Sequence, residues 1–85
     1  MKVYVVTTND NFDGGDRSKV HTTTKSLQKA LQYKMKLLSE FLSSDEFKEF
    51  FPNDDMVECN DNETSLCVHD NDSYWWSCQI TETEI

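Results

Sequence analysis

The chain has 85 residues, and its 16 acidic against 8 basic residues give a net charge of −8 at neutral pH. This length allows one domain whose core is near the lower limit for independent stability, and it excludes a second domain. The acidic balance argues against direct nucleic-acid binding and favours basic partners.

The charges are unevenly divided along the chain. Residues 1–42 hold seven lysines and arginines against four acidic residues and carry +3, whereas residues 43–85 hold one lysine against twelve acidic residues and carry −11. A division of this size is one of the few functional signals that composition can offer, and it directs attention to the second half.

The chain opens on an apolar run at residues 3–6, which predicts a central β-strand over residues 2–8. The opening lacks the apolar length of a signal peptide, and no stretch is long enough to span a membrane. We therefore expect a cytoplasmic protein without a membrane partner. A polar loop containing two glycines follows over residues 9–18, and residues 19–22 predict a short second strand.

The stretch that organises the chain covers residues 24–51, where apolar side chains recur with the spacing of one helix face. The predicted core positions of this helix are Leu27, Ala30, Leu31, Tyr33, Met35, Leu37, Leu38, Phe41 and Leu42. Thr23 or Thr24 is the expected N-cap, because a threonine oxygen can accept a hydrogen bond from a free backbone N–H of the first turn.

A break is expected within this helical region. Ser43 stands three residues before Glu46, which is the spacing of a capping box and predicts a second helix. Pro52 disfavours helical geometry at the residue before it, so the second helix should end near Phe51.

Three short segments at residues 56–59, 64–69 and 73–83 predict an antiparallel meander. A three-residue turn between the last two pairs Val68 with Tyr74 and gathers one set of side chains on the core face. That set is Leu66, Val68, Tyr74, Trp76, Cys78 and Ile80.

A two-residue turn would reverse this parity and group Cys67 and His69 with Tyr74 and Trp76. We prefer the first register, which leaves Trp75 on the opposite face with Cys67 and His69. Residues 1–85 are thus predicted to form a single α+β domain. Its antiparallel sheet of four or five strands, in the order ββ-α-α-βββ, is covered on one face by a long and a short helix.

The sequence contains no catalytic or cofactor motif, so we expect neither an enzyme nor a cofactor. Asn9, Asn11, Asp13 and Gly14 match the first half of an EF-hand loop, but position twelve is Val20. Without the bidentate carboxylate a plain turn is the better interpretation.

Four side chains could form a metal or thiol site, and this is the alternative function: Cys59, Cys67, His69 and Cys78. They are of the types that bind zinc, but a Cys-x₂-Cys knuckle is missing. Three cysteines without an export signal indicate reduced thiols, which commonly pack as small hydrophobic residues. We therefore rank ordinary packing ahead of zinc.

The acidic second half provides the favoured site, which we call the acidic face. Its predicted partner-binding residues are Asp54, Asp55, Glu58, Asp61, Glu63, Asp70, Asp72 and Trp75. Carboxylates held several Å apart on a sheet could imitate the charge spacing of a nucleic-acid backbone and attract the basic groove of a DNA- or RNA-binding protein. The competing interpretation is that acidic turns serve solubility alone.

Three features together resemble the small acidic accessory proteins of bacteriophages: the strand-type opening at residues 1–7, the start of the helix at residues 24–27, and the acidic closing hairpin with Trp75 and Trp76. In size and charge the chain is similar to anti-CRISPR and other anti-defence proteins. The resemblance implies an inhibitor that binds a host nuclease complex in the bacterial cytoplasm, often on a surface meant for DNA. Whether the uncovered sheet face closes a homodimer stays open at this point.

Overall fold

A computed structural model describes residues 1–12, 17–51, 58–69 and 74–85, with the side chains of all but 58–60. Five strands and two helices follow one another in the order ββααβββ. The strands are β1 (Lys2–Asp10), β2 (Arg17–Thr24), β3 (Glu58–Asp61), β4 (Ser65–His69) and β5 (Trp75–Glu84). The helices are α1 (Leu27–Leu42) and α2 (Asp45–Phe50). The predicted α+β class is confirmed.

The five strands form one sheet in the spatial order β2-β1-β5-β4-β3. Every neighbouring pair is antiparallel. The apolar opening strand β1 is internal, as expected, but β5 occupies the centre. The last three strands form the predicted meander, and both helices pack on one face of the sheet.

The predicted register of β4 against β5 is wrong by two residues. Val68 pairs with Trp76 and Leu66 pairs with Cys78, whereas the prediction pairs them with Tyr74 and Trp76. Because side chains alternate with a period of two, this shift leaves the same parity facing the core. Tyr74, which the prediction placed in the core, instead precedes β5 and is exposed.

Helix α1 begins at Leu27, three residues later than predicted. The Ser26 hydroxyl accepts a hydrogen bond from the backbone N–H of Lys29 at 3.2 Å and is the N-cap. Thr24 accepts a hydrogen bond from the Ser26 N–H instead and still belongs to β2. A cap two residues after a threonine run therefore sets the helix start.

The expected break between the helices is present, but its cap lies one residue further on. Ser43 is the C-cap of α1, and the Ser44 hydroxyl accepts a hydrogen bond from the Phe47 N–H at 3.1 Å. Asp45 and Glu46 then lie in the first turn of α2, where carboxylates interact favourably with the helix dipole.

The buried stripe of α1 differs from the predicted one at its centre. Its four buried positions, spaced by three or four residues, are Ala30, Lys34, Leu37 and Phe41. Met35 and Leu42, both predicted as core, are 47% and 43% exposed. A lysine thus occupies a position that apolar spacing alone did not reveal.

Aromatic stacking joins the helices to the sheet. The rings of Phe41 and Trp76 lie 4.4 Å apart and nearly parallel, at 4°. Phe12, which follows β1, stacks on Phe50 of α2 at 4.4 Å and meets Phe51 edge-on. These rings close the core beyond the point where α1 ends.

Candidate interaction surfaces

The β3–β4 turn, taken as residues 61–64 with Asp61 at the end of β3, is attached to helix α1 by Lys34, whose side chain is almost completely buried. Its ammonium Nζ donates hydrogen bonds to Asp61 Oδ1 at 2.9 Å, to the Asn62 carbonyl at 2.7 Å and to the Glu63 carbonyl at 3.1 Å. An ammonium group has three protons, so all of them have acceptors. One cation therefore holds three consecutive residues of the turn.

This anchored turn carries two residues of the predicted acidic face. The Asp61 side chain remains 49% exposed while it pairs with Lys34, and Glu63 is exposed. Sequence reasoning placed Asp61 on the acidic face but missed its buried partner. The signal that could have found it is the helical spacing of Lys34 from Ala30 and Leu37.

The remaining residues of the acidic face are distributed as follows. Glu58 begins β3, and Trp75 pairs with His69 at the end of β4 opposite to the anchored turn. Since β4 has five residues, roughly 13 Å of strand separates Trp75 from that turn. Four predicted residues lie outside the described part of the chain: Asp54, Asp55, Asp70 and Asp72.

Trp75 belongs to a second surface, the sheet face turned away from both helices, which we call the open face. Its side chains alternate with those of the core along β1, β2, β4 and β5. The open face comprises Val3, Val5, Thr7, Asn9, Ser18, Val20, Thr23, Ser65, Cys67, His69, Trp75, Ser77, Gln79, Thr81 and Thr83. None of these residues is a lysine, arginine, aspartate or glutamate, but Glu58 of β3 pairs with His69 and so takes a register position on the same side of the sheet.

The two cysteines whose side chains are described lie on opposite sides of the sheet. Cys78 is fully buried in the core, whereas Cys67 is partly exposed on the open face. Burial raises the pKa of the Cys78 thiol to about 11, and the positive charge of Lys34 acts in the opposite direction. A single metal or thiol site cannot use both sulfur atoms in this arrangement.

A β-bulge in β2 shifts the alternation of its side chains, so that Lys19 pairs with Thr8 and Arg17 with Asp10 on the helix side of the sheet. Val6 pairs with Thr22 and Thr7 with Val20, so His21 is the extra residue of the bulge. The extra residue of a bulge changes which face the side chains on either side of it take. This irregularity lies in the predicted second strand and was not predicted from its residues.

The bulge forms one wall of a cleft of about 590 Å³ between β2 and the two helices. Its lining residues are Thr8, Asp10, Arg17, Ser18, Lys19, His21, Leu37, Glu40, Phe41, Ser44, Glu46 and Trp76. Arg17 crosses the cleft and donates to Asp10 at 2.7 Å and to Glu46 at 3.1 Å. Arg17, Asp10 and Glu46 of this cleft are thus already paired within the protein.

His21 makes the stability of this region depend on pH. Its Nε2 lies 2.7 Å from the Thr8 hydroxyl, and burial lowers the pKa of the imidazole, with Lys19 acting in the same direction and Glu40 opposing it. The unfolded chain therefore binds the proton more readily than the folded one. Stability should fall as the pH drops below the unfolded value of about 6.5, and it should be independent of His21 above it.

We predict that His21→Gln, whose amide can still bond to Thr8, flattens the stability profile between about pH 7 and pH 5.5. Urea unfolding of both proteins across this interval measures the effect. Because both proteins contain the same carboxyl groups, the difference between the two profiles reports the contribution of His21. Parallel profiles would show that His21 does not contribute to the pH dependence of stability.

Comparisons with known proteins found no match to a family model, a curated protein or a solved structure. In the described part of the chain, no helix has the length and apolar character needed to cross a membrane.

Proposed function

We propose that this protein binds a basic, nucleic-acid-binding host protein in the bacterial cytoplasm, in the manner of phage anti-defence inhibitors such as anti-CRISPR proteins. The partner would be a nuclease complex of the CRISPR-Cas kind, bound stoichiometrically and without turnover. The acidic face would occupy a groove meant for DNA, and binding would block nucleic acid by imitation of its charge.

The observation that carries this proposal is the anchored β3–β4 turn. Two hydrogen bonds from a buried lysine hold backbone carbonyls of this turn and a third holds the Asp61 carboxylate, so Asp61 and Glu63 are presented from a rigid support. A rigid display loses less conformational entropy on binding than a mobile acidic loop would. An acidic turn that served only solubility would not require such an anchor.

Charge supports the same interpretation. Residues 43–85 carry −11, and a partner with a basic groove would be attracted over a distance set by the ionic strength. The cleft beside β2 offers less, because Arg17 already pairs with Asp10 and Glu46 across it.

The alternative metal or thiol function has weaker support. Among the described residues, no group of three or more histidine, cysteine, aspartate or glutamate side chains is arranged to hold a metal ion. Cys67 and Cys78 also lie on opposite faces of the sheet. We therefore retain the interaction protein as the proposal.

Pull-down from a nuclease-treated bacterial lysate tests the proposal with two variants of equal charge. The first neutralises three residues of the acidic face and leaves Asp61 with Lys34; it combines Glu63→Gln, Asp70→Asn and Asp72→Asn. The control neutralises three exposed residues on the helices; it combines Glu40→Gln, Asp45→Asn and Glu49→Gln. Each variant changes the net charge from −8 to −5.

We expect the wild-type protein and the helix variant to retain the same basic nucleic-acid-binding protein. The acidic-face variant should bind it about tenfold more weakly or worse, since each removed rim charge contributes up to about 1 kcal/mol. Equal weakening by both variants would mean that binding depends on the net charge of the protein and not on the acidic face. Recovery of no basic partner would count against the proposal itself.

A further inference from the structure

We propose that the cleft between β2 and the two helices is a binding site for a zwitterionic small molecule with an apolar body, of the α-amino acid class. This inference does not rest on the proposed function, because the cleft shares no residue with the acidic face.

Contacts between the sheet and the helices bound the cleft at both ends. At one end Arg17 of β2 donates to Asp10 and to Glu46 of α2, which joins the two walls. Further along β2, roughly 13 Å away by strand rise, the His21 ring lies 6.4 Å from the Tyr33 ring of α1. The cleft has a volume of about 590 Å³, which is within the range of small-molecule sites in proteins.

The floor of the cleft is apolar. Leu37, Phe41 and Trp76 line it with the small part of their surfaces that stays accessible. The hydroxyl groups beside them already have partners, since Thr8 bonds to the imidazole of β2 and Ser44 donates to the Phe41 carbonyl. The floor therefore offers contact to a hydrocarbon or aromatic group more than it offers hydrogen bonds.

Two opposite charges line the cleft between its ends. Lys19 of β2 and Glu40 of α1 both belong to the lining and are exposed. Both are close enough to His21 to act on the pKa of its imidazole, which Lys19 lowers and Glu40 raises. Among the residues that the structure describes, no ion pair includes Lys19, and that of Glu40 is a 3.9 Å contact with Lys36. The two groups are therefore available to the charges of a ligand.

This combination selects a ligand that carries both charges. An anion alone would pair with Lys19 but would also lie near Asp10, Glu40 and Glu46, in a protein of charge −8. A cation alone would be repelled by Lys19. An α-amino acid carries a carboxylate and an ammonium group on one carbon atom. The carboxylate can bind Lys19, the ammonium group can bind Glu40, and an apolar side chain can occupy the floor.

Titration of isotope-labelled protein with phenylalanine up to about 10 mM, followed by the chemical shifts of the backbone amides, tests this proposal. Two analogues separate the charges of the ligand: hydrocinnamate lacks the ammonium group, and phenethylamine lacks the carboxylate. Lys19→Met and Glu40→Gln remove the two protein charges one at a time. Lys29→Met and Glu49→Gln are the matched controls, because both residues are exposed on the helices and neither lines the cleft.

We expect phenylalanine to shift the amide signals of the cleft residues with a dissociation constant of about 1 mM or lower. Each analogue should bind about fivefold more weakly or worse, since it loses one charged hydrogen bond. Lys19→Met should remove the preference for phenylalanine over phenethylamine, and Glu40→Gln the preference over hydrocinnamate. The control variants should change the dissociation constant by less than about twofold.

Three results would overturn the proposal. Unshifted cleft signals at the highest phenylalanine concentration would show that the cleft does not bind this class of ligand. Equal affinity for phenylalanine and both analogues, or equal effects of the cleft and control variants, would show that Lys19 and Glu40 do not bind the two charges. None of these results bears on the acidic face, because none of its residues lines the cleft.

Discussion

Replacement of Phe41 by alanine is expected to lower the free energy of unfolding by about 3–5 kcal/mol. The Phe41 ring stacks on Trp76 at 4.4 Å and also meets the edges of Phe47 and Phe51. Its removal leaves a cavity between α1, α2 and β5. For a chain of this size the total stability is about 4–13 kcal/mol, so the loss is a large fraction of it.

Urea denaturation followed by tryptophan fluorescence measures this loss, with Leu42→Ala as the matched control. Leu42 is the next residue on the same helix but is 43% exposed, so its truncation should cost less than about 1 kcal/mol. Similar losses for the two variants would mean that Phe41 is not the link between helices and sheet.

Replacement of Lys34 by methionine is expected to lower the free energy of unfolding by about 2–3 kcal/mol. Methionine fills a similar volume but leaves Asp61 and the carbonyls of Asn62 and Glu63 without their donor. Asp61 is half exposed and can be hydrated, which limits the loss. The melting temperature should fall by about 10 °C or more.

Lys36→Met is the control for this prediction, because Lys36 is on the same helix and its side chain is 65% exposed. Its Nζ lies 3.9 Å from Glu40 Oε1. Its loss should change stability by less than about 0.5 kcal/mol. Differential scanning calorimetry compares the two variants. A Lys34→Met protein as stable as the Lys36→Met protein would remove the anchor on which the proposed display of Asp61 and Glu63 depends.

The order of elements and the layers could be predicted because they follow from periodicity. The helical spacing that ends in Leu37 and Phe41 and the alternation of Leu66 and Val68 each define one buried face. In a strand with one buried face, only one of the two alternating sets of side chains can point into the core. The register error of two residues between β4 and β5 left the core face unchanged for this reason.

The features that escaped prediction depend on contacts distant in sequence. Lys34 was not among the predicted core positions of the helix, because its acceptors belong to a turn 27 to 29 residues further on. The bulge at His21 depends on how β2 pairs with β1, which the residues of β2 alone do not encode. At both Lys34 and His21, hydrogen bonding to distant parts of the chain outweighs local propensity.

The sequence predicted which residues form the candidate site better than it predicted how they are arranged. Acidic turns in the meander were visible in the sequence, and Asp61 and Glu63 share one turn. Trp75, assigned to the same face, begins β5 at the far end of β4 and belongs to the open face. The preferred register correctly placed Trp75 on the side of the sheet opposite to the core, with Cys67 and His69, but its distance from the acidic turn depends on how β4 pairs with β5.

The central proposal is that the acidic face occupies a DNA-binding groove, and a competition titration tests it most directly. The protein is added to the basic partner recovered by pull-down, which is bound to a fluorescent DNA duplex, and anisotropy is recorded. We predict stoichiometric release of the duplex, with affinity that falls steeply between about 50 and 300 mM salt. A partner that binds the protein while it retains its DNA, with equal affinity at both salt concentrations, would contradict the proposal.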